Sequence, residues 1–281
     1  MSATHSHNHY YVPNPSPYPV LMGSGIFLLA LGFILNMNSF GLGLWSMIAG
    51  AALIALVMYN WFGTVAGESE GGVYHKWEDR SFRMGMTWFI ASEVAFFAAF
   101  FGALFYVRII SVPGLAGADQ LWQGFVGTWP SAGPMGAEFT PMAAWGIPAI
   151  NTALLLSSGA TITWAHWGLL ANNRAQLNMG MFLTIALGFL FIAFQAYEYH
   201  EAYTELGLTL GAGAYGATFF MLTGFHGFHV TMGAIMLTVI LIRCLKGHFK
   251  PETHFGFEGV AWYWHFVDVV WLGLFIFVYW L

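Results

Sequence analysis

The stretch GFEGVAWYWHFVDVVWLGLFIFVYWL, Gly256–Leu281, decides what kind of protein this is. At about 1.5 Å of rise per residue it is long enough to cross the roughly 30 Å hydrocarbon core of a bilayer. Yet it holds Glu258, His265 and Asp268. A charge at the centre of a spanning helix costs about 2.5–3.5 kcal/mol, so groups kept there must face other protein groups or a water-filled cavity. At about 100° per residue Glu258 and His265 share a face, with Asp268 within about 80° of it.

Working outward, the whole chain of 281 residues is 58% hydrophobic, 19% aromatic and only 7% charged. Soluble domains carry about a quarter charged residues, so most of this exterior must meet lipid. The expected fold class is an all-α integral membrane protein. A net charge of −5 without a basic run argues against nucleic acid as a partner. The single cysteine, Cys244, excludes an internal disulfide, a CxxCH haem attachment and a paired-thiolate metal site. The opening MSATHSHNHYYVPNPS has neither an apolar core nor a cleavage signature and reads as a mature polar tail. Its His5, His7 and His9 read as part of that tail rather than as a metal site.

Seven apolar runs predict seven transmembrane helices in one polytopic domain, at about 17–36, 42–66, 82–109, 144–171, 177–203, 214–243 and 257–281. The Gly- and Pro-rich connection from Ser111 to Ala143, with TWPSAGP, is expected as a surface loop. Lys76, Arg80, Arg83, Arg174, Arg243, Lys246 and Lys250 all fall on the side that holds the N-terminus, and Arg108 alone falls opposite. The positive-inside rule therefore predicts a cytoplasmic N-terminus and an outside C-terminus.

Counting depth along the helices puts Glu93, His226, His229, His265 and Asp268 in one slab near the bilayer midplane, roughly 15–25 Å from the cytoplasmic edge. These five are expected to form one inward-facing hydrogen-bonded network or two adjacent ones. They either brace the helices, as interhelical polar pairs do, or conduct protons, with Glu93 the foremost candidate. His226 and His229, three apart on one helix, lack the geometry of two haem-ligating histidines facing each other, and no metal is expected. No lysine lies within the helices, which excludes a retinal Schiff base. Matching half-repeats with broken helices, the mark of a transporter, are not seen. At the cytoplasmic rim, Glu68, His75, Arg83, Arg243, Lys246, His248 and His254 are candidates for lipid headgroups, or equally for topology control and snorkelling.

HFGFEGVAWYWHFVDVVWLGLF, TGFHGFHVTMG, ITWAHWGLL, IPAINTALLLSSG and FIASEVAFF together resemble subunit III of the haem–copper cytochrome c oxidases, in the family's order and over nearly the whole chain. The resemblance implies a fold in which helices one and two stand apart from the other five across a V-shaped cleft filled with phospholipid. It implies no cofactor bound by this chain. Haem a and the haem–copper site are expected in subunit I, which it packs against, and the dinuclear copper in subunit II. Cytochrome c is expected to donate electrons to the complex. The implied role is non-redox: stabilising subunit I, supporting proton uptake, and admitting lipid and oxygen. Glu93 matches the family's intramembrane glutamate, and Glu68, His75, Arg243 and His248 match positions near lipid headgroups. The chain departs from the family at GGVYHKWEDR, where only His75 of a histidine pair remains. It departs again at Trp167 for a second histidine and at Ser131 for a proline. These departures fit a bacterial member in the inner membrane. Two alternatives stay open: the same fold in a quinol-oxidising or nitric-oxide-reducing complex, and an independent transporter.

Overall fold

The computed structural model describes residue 11 and residues 13–281; His5, His7 and His9 lie outside the described residues. Among the described residues seven long helices form: α1 Tyr18–Met37, α2 Gly43–Glu70, α3 Lys76–Ala116, α4 Ile147–Leu170, α5 Arg174–Thr204, α6 Gly213–Leu245 and α7 Phe255–Trp280. Six of them are long and apolar enough to span a membrane. The seventh, α4, has 24 residues, and Asn151, Ser158 and Thr161 dilute its apolar character. Asn151 and Ser158 are fully buried, so α4 turns much of its polarity into the protein. This is the all-helical, multi-pass membrane fold that the apolar runs predict.

Local chemistry sets several helix ends. Pro148 sits in the first turn of α4, where its missing N–H costs nothing. The Asn173 side chain caps α5 by accepting from the Gln176 N–H at 3.2 Å. Gly247, at φ +79°, lets the chain leave α6 in the left-handed conformation that other residues avoid. Within α3 the backbone widens to a π-helix over Tyr106–Ser111, just before Pro113. Proline has no N–H for the carbonyl four residues back, and the ladder adjusts around it.

The described chain divides into two compact units, one ending at Phe82 and one spanning Arg83–Leu281. In the first, α1 and α2 pack as a hairpin with the backbones nearly touching. A Cβ added at Gly50 would lie 2.6 Å from the Leu29 nitrogen, and one at Gly32 would lie 2.7 Å from the Met47 side chain. Only glycine permits that approach.

The second unit is assembled around Trp264. Its ring is fully buried and its N–H donates to Ser158 Oγ of α4 at 2.8 Å. Cβ atoms added at Gly188 of α5 or Gly233 of α6 would each meet that ring at 2.8 Å. One aromatic knob thus fills a slot cut by two glycines and closed by a serine. Two turns later Trp271 repeats the contact, donating to Thr152 Oγ1 at 2.9 Å. Between α4 and α5, the Thr161 and Thr184 hydroxyls hydrogen-bond at 2.8 Å.

Candidate functional site

Glu93 lies along α3 and His229 along α6, and the two meet at 3.0 Å between Oε2 and Nε2. The other ring nitrogen of His229, Nδ1, stands 2.6 Å from the Phe225 carbonyl one turn earlier. A carbonyl only accepts, so Nδ1 carries a hydrogen, and Nε2 of a neutral ring is then a lone pair. A lone pair facing an ionised carboxylate makes no bond. A proton therefore lies between the two groups, as imidazolium with carboxylate or as neutral ring with carboxylic acid. Either way the pair is neutral overall, the state that low-dielectric surroundings favour. Phe97 packs edge-on against the imidazole at 5.1 Å between centroids, and Tyr263 donates its hydroxyl to the His229 carbonyl at 3.2 Å.

The remaining members of the predicted slab distribute differently. His226 is fully buried in the bundle, and its Nε2–H donates to the Val267 carbonyl of α7 at 3.1 Å rather than to another side chain. His265 and Asp268 stand 3.8 Å apart on α7, an ionic contact too long for a direct hydrogen bond. His265 Nε2 reaches Thr163 Oγ1 at 3.3 Å, and 45% of its side chain is exposed against 8% for Asp268. The five residues therefore form two acid–imidazole pairs and one backbone-anchored histidine.

The rim residues also find protein partners. In the first unit, Glu68 on the last turn of α2 accepts from the Tyr74 hydroxyl, and the His75 N–H donates to Glu78 at 2.8 Å. Burial, and then the bond to Glu68, push the Tyr74 phenol above its ordinary value. In the second unit, Arg83 pairs with Glu258 at 2.6 Å and lies 5.5 Å from the Phe255 ring. Arg243 stacks on Phe249 at 4.3 Å and donates to His248 Nδ1 at 3.4 Å. Lys246 caps α6 through its backbone N–H, and Arg174 donates to the His248 and Phe249 carbonyls at 3.0 and 2.7 Å. His254 Nε2 lies 3.2 Å from His166 Nε2 of α4.

Sequence reasoning missed two of these features. His166 sits in the quoted ITWAHWGLL, but its partner is 88 positions away. Glu198, late in α5, is fully buried and accepts from the Tyr279 hydroxyl at 2.5 Å. An acid two turns inside an apolar helix was the available signal for it.

The described residues contain no group of three or more His, Cys, Asp or Glu arranged to hold a metal ion. What the arrangement can do chemically is hold protons between paired groups and lock helices in register. The family profile of cytochrome c oxidase subunit III matches residues 7–281. The chain is 40% identical over 280 residues to the cytochrome c oxidase subunit 3 of Phoca vitulina, covering 99% of this chain and 98% of that one. It is 41% identical over 280 residues to that of Hippopotamus amphibius, with the same coverage. Against that of Latimeria chalumnae it is 39% identical over 279 residues, with 98% of each chain covered. With a match of this length and the Glu93–His229 bundle beneath it, the chain belongs to the cytochrome c oxidase subunit III family, and is a subunit of that oxidase complex.

Proposed function

We propose that this chain is the bracing and regulatory subunit of a proton-pumping cytochrome c oxidase and carries no catalytic centre of its own. In this reading the haem and copper centres belong to subunits I and II, and this chain packs directly on subunit I. Cytochrome c feeds the complex, and the membrane is the inner membrane of a bacterium with the N-terminus on the cytoplasmic side. The observation that carries the reading is the Glu93–His229 pair, 3.0 Å apart across α3 and α6. It uses an intramembrane acid to hold two helices and one proton. The test is copurification from native membranes followed by an absorption spectrum of each separated chain. Haem bands are expected with the partner chains, and haem bands intrinsic to this chain would overturn the reading.

The rim cations support a second part of the role. Arg243, Lys246 and His248 cluster where α6 ends, and phosphate groups of phospholipids are their natural counter-ions. Arg243→Ala with His248→Ala is expected to reduce the phospholipid retained by the purified complex, counted by native mass spectrometry. An unchanged lipid count would remove this assignment.

A further inference from the structure

Where α3 and α7 begin and α4 ends, four ionisable side chains from three helix ends come together in a way the foregoing role does not use. Arg83 Nη1 meets Glu258 Oε2 at 2.6 Å. The same carboxylate oxygen stands 3.9 Å from His254 Nε2, and that nitrogen stands 3.2 Å from His166 Nε2. The two imidazoles cross edge to face, with centroids 5.3 Å apart, and the Phe257 ring packs on His166 at 5.4 Å.

The hydrogens follow from the partners. His254 Nδ1 lies 3.1 Å from the Lys250 carbonyl, which only accepts, so Nδ1 carries hydrogen in every charge state. The Nε2 atom of neutral His254 is then a lone pair. The 3.2 Å contact requires His166 to present Nε2–H, and its Nδ1 is a lone pair in turn. This pair is complete while both rings are uncharged, whereas Glu93 with His229 needs one proton more than a neutral ring beside a carboxylate.

We propose that His166 and His254 form a binding site for one proton, whose occupancy is read by Glu258 and, through it, by Arg83. The incoming proton forms a bond at His166 Nδ1. The bridging hydrogen then leaves His166 Nε2 and bonds to His254 Nε2, which carries the charge toward the Glu258 carboxylate. His166 is left neutral with its hydrogen on Nδ1, so atoms and charge balance. A second proton does not fit, because both Nε2 atoms would carry hydrogen and two cations would face each other across the gap. Once charged, His254 competes with Arg83 for Glu258, so the acidity of the adjoining solution sets the grip between α3 and α7.

The ionisable groups around His166 are His254, Glu258, Arg83 and His265. The turn before α7 adds Lys250 and Glu252. From α5, Arg174 is held by the His248 and Phe249 carbonyls, and from α6, Arg243 lies on the Phe249 ring. Among them, the Glu258 carboxylate stands 3.9 Å from His254 Nε2.

The test is [15N]histidine NMR of the intact oxidase complex in lipid, followed from about pH 8 to about pH 5, the range in which imidazoles change charge. At the alkaline end His254 is expected as the Nδ1–H form and His166 as the Nε2–H form. On acidification the two rings should respond together and take up one proton between them. In Glu258→Gln that uptake should require about tenfold more acid, because a neighbouring carboxylate no longer favours the cation. In His166→Gln, which keeps a hydrogen-bonding side chain but cannot take the proton, His254 should titrate alone. Three results would overturn the proposal: the opposite tautomers, two independent single-proton curves, or a Glu258→Gln curve identical to that of the parent. The tautomer assignment needs no variant, so it decides the matter even where a substitution prevents assembly.

Discussion

The α1–α2 hairpin and the α3–α7 bundle both pack helices that water does not drive together, and they do so by opposite means. The hairpin relies on missing side chains. Gly25, Gly32 and Gly50 bring the two backbones into contact, and the Ser46 hydroxyl donates to the Leu28 carbonyl at 2.8 Å. Between Tyr18 and Gly67 it has no Asp, Glu, Lys, Arg or His. The bundle relies on side chains that are present and paired: Trp264 with Ser158, Tyr279 with Glu198, Glu93 with His229. Close backbones make a firm but chemically silent unit. Directed polar pairs fix helix register and, in the same contacts, hold protons.

The contrast is most open to breakage at Trp264, where the largest effect is expected. Trp264→Ala removes a fully buried indole, its bond to Ser158 and the filling of the slot between Gly188 and Gly233. Deleting such a side chain costs about 3–5 kcal/mol. Thermal release of this subunit from the complex should occur well below the parent temperature. A stable Trp264→Ala complex would mean that the bundle, like the hairpin, rests on backbone proximity.

Gly32→Leu tests the other arm. A side chain there drives into Met47, and overpacking of this kind costs about 1–3 kcal/mol. The expected signature is local: faster proteolysis between α1 and α2, with the Glu93–His229 pair undisturbed in the bundle. A loss of that pair in Gly32→Leu would show that the two units are not energetically separate.

Glu93→Gln sharpens the comparison at lower energy. Glutamine can still bond to His229 but cannot share a proton with it, and interhelical polar contacts in membranes average about 0.6 kcal/mol. Electron transfer should persist, with any change falling on proton uptake or on lifetime during turnover. Complete loss of oxygen consumption in a fully assembled variant would give Glu93 a role in the reaction itself.

How much of this was legible in the sequence follows the same division. The seven helices were visible because apolar length is a local property, read without knowing any partner. Glu93, His229, His265 and Asp268 were visible as ionisable groups where lipid forbids isolated charge. Their pairing was not, since Glu93 and His229 are 136 positions apart and depth along a helix does not say which way a side chain turns. His226 shows the gap plainly. It has the same depth and chemistry as His229, yet its nitrogen goes to the Val267 backbone carbonyl. Glu258 shares a helix face with His265 by angle, but it is claimed by Arg83 from another helix. The hairpin's glycines looked ordinary because what matters at Gly32 and Gly50 is the partner backbone, and only the fold supplies it.

The smallest effect is expected at a directed polar tie at the end of the hairpin unit, Tyr74 to Glu68. Burial first, and the Glu68 bond second, raise the Tyr74 phenol above its ordinary value, so the folded state favours the protonated hydroxyl. The tie's contribution is therefore complete below the ordinary phenol range near about pH 10 and is lost only as pH climbs through the raised folded value. Tyr74→Phe should lower stability by about 0.5 kcal/mol at neutral pH, as a substitution near the surface does. The difference from the parent should shrink only in strongly alkaline solution. Phenolate absorbance of the parent minus that of Tyr74→Phe isolates this titration. A phenol that ionises at its ordinary value would remove the tie. A cost exceeding that of Glu93→Gln would mean that the hairpin, too, depends on a directed bond, and the contrast between the two units would fail there.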